Sequence, residues 1–205
     1  MNVEKLELGP LGTNCYIVHK EGLALIFDPG GDRNKLIQFI SEKELKPVAI
    51  CLTHAHFDHI GAVDDIRDFY GINVYVHELE REWLSNPELN GSGLFPVGEV
   101  KCKDADQYVH TGEWNIEGFA MEVRHVPGHS PGGVIYIFHK DHLIIGGDCL
   151  FHGGIGRTDL FGGDMNQLLT SIREQFFTLP DDYLVLPGHG SNTSIGFEQN
   201  NNPFL

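Results

Sequence analysis

Short apolar runs broken by glycine and proline alternate with stretches of helical period along this chain. Residues 3–8, 15–19 and 23–28 read as three short strands, with turns at Gly9-Pro10 and Glu21-Gly22. Residues 34–43 read as a helix that places Leu36, Ile37 and Ile40 on one face. The apolar run 48–53 predicts a buried strand. A helix over 60–70 follows, with Val63, Ile66 and Tyr70 at helical spacing and Gly71 as its stop. Residues 74–76 predict a strand and 78–84 a short helix. The polar, Gly- and Pro-rich segment 86–98 predicts a loop able to act as a movable cleft wall. Strands at 120–126, 134–138 and 143–145 come next. Asp164 then caps a helix over 165–178 that turns Leu168, Leu169, Ile172 and Phe176 inward, and residues 183–186 form a last strand.

Strands and helices therefore mix in two successive sets. That order fits two sheets packed face to face with helices outside, or one doubly wound sheet, and the pattern alone does not separate them. No repeat or low-complexity segment divides the chain, so residues 1–205 are expected to form one domain. A hydrophobic content of 41% supports a proper core rather than long disorder. No apolar run approaches the roughly 20 residues that cross a membrane, and residues 1–7 lack the basic-then-apolar pattern of a signal peptide. A cytoplasmic location is expected. The net charge of −15 and the lack of any basic run argue against a nucleic-acid partner. Cys15, Cys51, Cys102 and Cys149 are scattered without a C-x-x-C pair, and Cys15 and Cys51 read as reduced core residues.

Candidate chemistry concentrates at residues 54–59, where His54, His56, Asp58 and His59 fall on the loop after the strand 48–53. Imidazole nitrogens and a carboxylate oxygen suit zinc and other borderline metals. Residues two apart in an extended stretch point to the same side, so His54 and His56 can grip one ion together. Asp58 and His59, where the helix begins, suit a second ion. A solvated polar loop explains one histidine, not four ligand-type side chains in so short a span.

Three further strand ends carry ligand-type residues into Gly-rich turns. They are His129 after Val126-Pro127-Gly128, Asp148 after Gly146-Gly147, and His189 after Pro187-Gly188. Glycine lets the backbone approach a ligand closely there. The set divides cleanly. His54, His56 and His129 would hold one ion, and Asp58, His59 and His189 the other. Asp148 would bridge both, since a carboxylate has two oxygens while an imidazole has one free lone pair. A water between two cations is acidified toward neutrality.

In order and context these residues resemble the metallo-β-lactamase superfamily, and within it the glyoxalase II-type hydrolases. The likeness runs from Gly12-Thr13-Asn14-Cys15-Tyr16 and Asp28-Pro29-Gly30 through the metal residues. It continues with Gly156-Arg157-Thr158-Asp159, Gly162-Gly163-Asp164 and the tail Asn202-Pro203-Phe204-Leu205. The resemblance implies an α/β (α+β) fold, an αββα sandwich of two mixed sheets with helices on the outer faces. It implies two divalent metal ions, most often zinc, with iron or manganese tolerated. The extra C-terminal helical region that helps full-length glyoxalase II hold glutathione is missing, so the chain is similar to the short form. Relatives usually carry Thr where Cys149 stands.

The expected reaction is hydrolysis of a small thioester of the S-lactoylglutathione type by a bridging hydroxide, with Asp58 anchoring the second ion and orienting the nucleophile. The alternative is a persulfide dioxygenase with one iron on His54, His129 and Asp148, a two-His-one-carboxylate set. A lactonase on the same metals is a third possibility. Among the other residues, Cys149 reads as a small buried hydrophobe and His152 as a loop residue. Arg157 and Asp159 read as a buried ion pair holding their loop. His77, His110, His125, His139 and His142 read as structural, and Tyr108 and Trp114 as packing residues. Asp28 is either support for a metal histidine or a turn residue.

Overall fold

A computed structural model describes residues 1–205, which divide into two compact units, Met1–Val109 and His110–Leu205. Each unit is a six-stranded mixed sheet with its own helices.

The first sheet takes its strands in sequence order. They are β1 (Asn2–Leu8), β2 (Thr13–Lys20), β3 (Leu23–Phe27), β4 (Lys46–Cys51), β5 (Asn73–His77) and β6 (Gln107–Val109). The opening meander β1–β2–β3 is antiparallel, as tight turns at Gly9 and Gly22 allow, and β3 to β6 run parallel. Helices α1 (Arg33–Glu42) and α3 (Val63–Tyr70) make the crossovers that parallel strands require. Leu36 and Ile40 of α1, and Val63 and Ile66 of α3, are buried against Ile17, Ile26, Ile50 and Val74 of the sheet. The helix expected at 60–70 is in fact two. Phe57–Ile60 (α2) is one turn ahead of α3. The break has a cause: a Cβ on Gly61 would come within 2.4 Å of the Gly30 carbonyl, and the Ala62 N–H donates to Pro29. The helix expected at 78–84 shortens to the 3₁₀ turn Glu78–Glu80. The segment 86–98 is tied down, with Asn90 buried and its amide donating to the carbonyls of Trp83 and Val100.

The second sheet contains β7 (Gly112–Ile116), β8 (Phe119–His125), β9 (Val134–Phe138), β10 (Leu143–Gly147), β13 (Leu184–Pro187) and β14 (Thr193–Ser194). Its order is β14-β13-β10-β9-β8-β7. The pair β10–β13 is parallel and the others antiparallel. A small hairpin of β11 (Leu150–Phe151) and β12 (Gly154–Ile155) follows β10. Helix α4 (Met165–Gln175) connects β12 to β13, and its Leu168 and Ile172 pack on Ile135, Ile137, Ile144 and Val185. Asp164 caps it as expected, accepting the Gln167 N–H at 2.9 Å. Strands β6, β7 and β14 and the final helix α5 (Ile195–Asn201) lie where the apolar pattern predicts nothing. They are short or edge-exposed, so their alternation is weak. No helix is long and apolar enough to cross a membrane.

Candidate metal site

In the first unit the loop after β4 places His54, His56, Asp58 and His59 together, all buried. The rings of His54 and His56 meet edge to face at 4.8 Å between centroids, and those of His54 and His59 at 4.1 Å. A buried residue from the end of β3 organises them. Asp28, in the left-handed region at φ +50°, accepts the Thr53 N–H at 2.8 Å and the Thr53 hydroxyl at 2.7 Å. That hydroxyl has one proton, and Asp28 takes it. At 3.1 Å from His54 Nδ1, Thr53 Oγ1 must therefore accept, which puts the imidazole proton on Nδ1 and the lone pair on Nε2. His59 Nδ1 lies 3.1 Å from Asp28 Oδ2, so the same carboxylate turns His59 Nε2 the other way. Asp28 is thus support for two histidines rather than only a turn residue.

Asp58 is fixed as well. Thr13, fully buried, donates its hydroxyl to Asp58 Oδ2 at 2.8 Å. Gly30 presses on the backbone below, where a Cβ would stand 1.9 Å from the Asp58 carbonyl oxygen. The loop backbone is held from the other side by the Phe57 N–H, which donates to Asn90.

In the second unit three separate turns bring His129, Asp148 and His189 together. His129 Nδ1 lies 2.7 Å from the Arg157 carbonyl. A carbonyl only accepts, so the proton is on Nδ1 and the lone pair is on Nε2. Asp148 Oδ2 lies 3.7 Å from His129 Nε2 and 3.5 Å from His189 Nε2. Glycines permit the approach. A Cβ on Gly128 would meet the Leu168 backbone nitrogen at 2.3 Å, and one on Gly156 would meet the Asp148 carbonyl oxygen at 1.8 Å and His129 Nδ1 at 3.1 Å.

These distances fit metal ligands. Donor atoms at about 2.0–2.1 Å from a tetrahedral ion lie about 3.3–3.4 Å from one another, beyond ordinary hydrogen-bond length. The pairs Asp148–His129, Asp148–His189 and Asp58 Oδ2–His59 Nε2 at 3.6 Å fall close to that spacing. Nitrogen and carboxylate donors of this kind suit a divalent borderline cation.

Two expectations for neighbouring residues change. The Arg157–Asp159 pair exists, with Nε–Oδ1 at 2.7 Å, but it is exposed rather than buried, because its loop projects both side chains outward. The Arg157 guanidinium beside Asp159 lowers that carboxyl to about 2. What the loop contributes inward is the Arg157 carbonyl, which side-chain reasoning overlooks. Cys149 is buried in the core of its unit, its Sγ 3.8 Å from the Val126 carbonyl. Burial pushes the Cys102 thiol up to about 12 and also raises Cys15 and Cys51, which disfavours the nucleophilic thiolate at all three. His152 is half exposed and stacks on Phe197. Tyr108 is exposed, and Trp114 donates its indole N–H to His110.

Known proteins give this arrangement a context. The family model described as the Metallo-beta-lactamase superfamily matches residues 8–189. A probable metallo-hydrolase of Bacillus subtilis, YqgX, is 50% identical over 100% of this chain and 98% of its own length. The hydroxyacylglutathione hydrolase GloC of Haemophilus influenzae is 36% identical, again over 100% of this chain and 98% of its own. Among solved structures, the BLEG-1 B3 metallo-beta-lactamase superposes with a TM-score of 0.97 at 46% identity, covering 100% of this chain and 99% of that one. The mixed α/β fold with two large mixed sheets is that of these relatives, whose superfamily binds divalent metals. The chain belongs to the metallo-β-lactamase superfamily and is a metallo-hydrolase.

Proposed function

We propose that the chain is a dinuclear thioester hydrolase of the glyoxalase II type, acting as one domain over residues 1–205. His54, His56 and His129 hold one ion, Asp58, His59 and His189 the other, and Asp148 is shared. Zinc is the proposed metal. The substrate is a small thioester, with no nucleic-acid or membrane partner, and the setting is cytoplasmic. The observation that carries this reading is the set of imidazoles with Nδ1 engaged, by Thr53 for His54 and by the Arg157 carbonyl for His129, with His59 Nδ1 facing Asp28 at 3.1 Å. Such partners present Nε2 as a ligand and fix the ring. The family match runs through both units, and one relative over the full chain bears the name hydroxyacylglutathione hydrolase.

Two divalent ions at these residues would supply an activated water and polarise the substrate carbonyl. The chain's own part is to hold the charges still. Thr13 donates to Asp58 Oδ2, the oxygen that lies 3.6 Å from His59 Nε2, and so fixes the orientation of that carboxylate. Asp28 stands behind His59, its Oδ2 3.1 Å from Nδ1, and holds that ring's orientation. The raised thiols of Cys15, Cys51 and Cys102 disfavour a covalent acyl-enzyme at these three cysteines.

A second reading has one specific support. The BLEG-1 structure at 46% identity is a B3 metallo-β-lactamase, and opening a β-lactam ring is also attack on an acyl carbon. Initial rates with S-lactoylglutathione, read as free thiol, and with a chromogenic cephalosporin, read as ring opening, separate the two on zinc-loaded protein. Thiol release at the higher kcat/KM supports the proposal. Ring opening without thiol release replaces it. Fast oxygen uptake with glutathione persulfide on iron-loaded protein, without thioester cleavage, moves the assignment to a persulfide dioxygenase.

A further inference from the structure

Glu80 is a fully buried carboxylate to which the hydrolytic reading gives no task. It closes the 3₁₀ turn Glu78–Glu80 after β5, and its Oε2 accepts the backbone N–H of Ala55 at 2.5 Å. Ala55 stands between His54 and His56. The bond therefore fixes the peptide from which both imidazoles hang. Three residues on, Trp83 lies against the His56 ring, with centroids 5.5 Å apart. One short segment thus holds the loop backbone with a carboxylate and one ligand ring with an indole.

A backbone N–H such as that of Ala55 does not require a charged acceptor. A carbonyl or carboxamide oxygen would accept it at far lower desolvation cost, and a buried carboxylate is expensive unless positive charge lies close by. The ligand loop is where the hydrolytic reading puts such a charge.

We propose that Glu80 is a positioning residue for the metal loop. Its carboxylate locks the His54–His56 backbone in register, and its negative charge raises the loop's affinity for a divalent cation. This rests on the metal-site reading above. Partners one shell beyond the ligands typically change metal affinity by about 10–100-fold.

The test compares Glu80→Gln, which keeps the size and an acceptor oxygen, with Glu80→Ala, which removes both. Zinc affinity is read by chelator competition, and the cobalt(II) absorption spectrum reports ligand geometry. The Tm of metal-free protein reports the fold alone. Glu80→Gln should bind zinc about 10-fold more weakly, and Glu80→Ala about 100-fold, with a changed cobalt spectrum in the latter. The metal-free Tm of Glu80→Gln should stay close to wild type, because the size and an acceptor oxygen for the Ala55 N–H are kept. Wild-type zinc affinity in Glu80→Gln overturns the proposal, whatever the Tm does. A Glu80→Gln chain that is unfolded without metal overturns it too, since a charge needed to fold the metal-free chain is not there for the cation. A wild-type protein that takes up neither zinc nor cobalt overturns the metal-site reading and this inference with it.

Discussion

The two units solve one problem in opposite ways. The first carries His54, His56, Asp58 and His59 on a single loop after β4, so spacing along the chain does most of the work. The second gathers His129, Asp148 and His189 from the ends of β8, β10 and β13, which only the folded sheet brings together. Their supports differ to match. The first unit uses buried side chains, Asp28, Thr53 and Thr13, to orient its ligands. The second uses backbone, the Arg157 carbonyl and tight glycine turns. A local set can be tuned residue by residue, whereas a dispersed set depends on how its turns pack.

The sharpest way to break this comparison is at the hub of the dispersed set. Asp148 Oδ2 faces both His129 Nε2 and His189 Nε2. Asp148→Ala should weaken zinc binding by more than about 100-fold, above the range for supporting residues, and lower the metal content of both sites. His129→Ala should mainly affect one. Metal analysis after chelator dialysis decides. Equal metal content for Asp148→Ala and wild type overturns the proposed sharing of Asp148.

Next come two glycines in matching places. A Cβ on Gly30 would stand 1.9 Å from the Asp58 carbonyl oxygen, and one on Gly156 would stand 1.8 Å from that of Asp148. Both obstacles are backbone and cannot swing aside. Gly30→Ala and Gly156→Ala should each cost about 3 kcal/mol, the upper end for overpacking, and lower Tm by about 6–12 °C. The second carries an added effect, because the same Cβ would crowd His129 Nδ1 at 3.1 Å. Gly156→Ala should therefore lose zinc affinity beyond its loss of stability. Matching ratios of affinity to Tm in the two variants would mean that the units respond alike.

What the sequence discloses follows the same divide. The histidine block is legible because its chemistry is written within six consecutive positions, and the long apolar strands β2, β4, β9 and β10 are legible from hydrophobic runs. Short edge elements such as β6, β7 and β14 escape, since three residues or a half-exposed strand carry no period. The split between α2 and α3 escapes because its cause, Gly30 approaching Gly61, lies 31 positions away in the chain. Glu80 and the Arg157 carbonyl escape for another reason. A buried glutamate in a polar turn looks like any surface acid, and a carbonyl has no letter of its own. The Arg157–Asp159 pair is legible as a pair but not in its exposure, because charge complementarity sets contact and not depth.

A smaller effect is expected at Thr13, whose hydroxyl holds Asp58 at 2.8 Å inside the core. Thr13→Val keeps the shape and removes the donor. A hydrogen bond to a charged group contributes about 1.5–3 kcal/mol, so the variant should lose roughly 10-fold or more in kcat. Thr13→Ser restores the donor and should recover most of it. A Thr13→Ser variant as slow as Thr13→Val would assign the residue to packing.

The smallest effect belongs to Asp159. Its carboxyl titrates at about 2 in the folded chain against an ordinary 3.8, because Arg157 donates to it. A carboxyl depressed on folding adds stability that is present above its unfolded pKa and lost as pH falls through the folded one. The window is therefore about pH 4 down to about pH 2. The pair is open to solvent, which screens most of the gain. Asp159→Asn should thus leave Tm at pH 7 unchanged within error and flatten only the acid limb of the stability curve. The comparison is sharpened by zinc affinity in the same variant. If the loop serves His129 through the Arg157 carbonyl alone, Asp159→Asn binds zinc as wild type does. A clear loss of affinity would show that the exposed ion pair, and not the backbone, sets the place of that carbonyl.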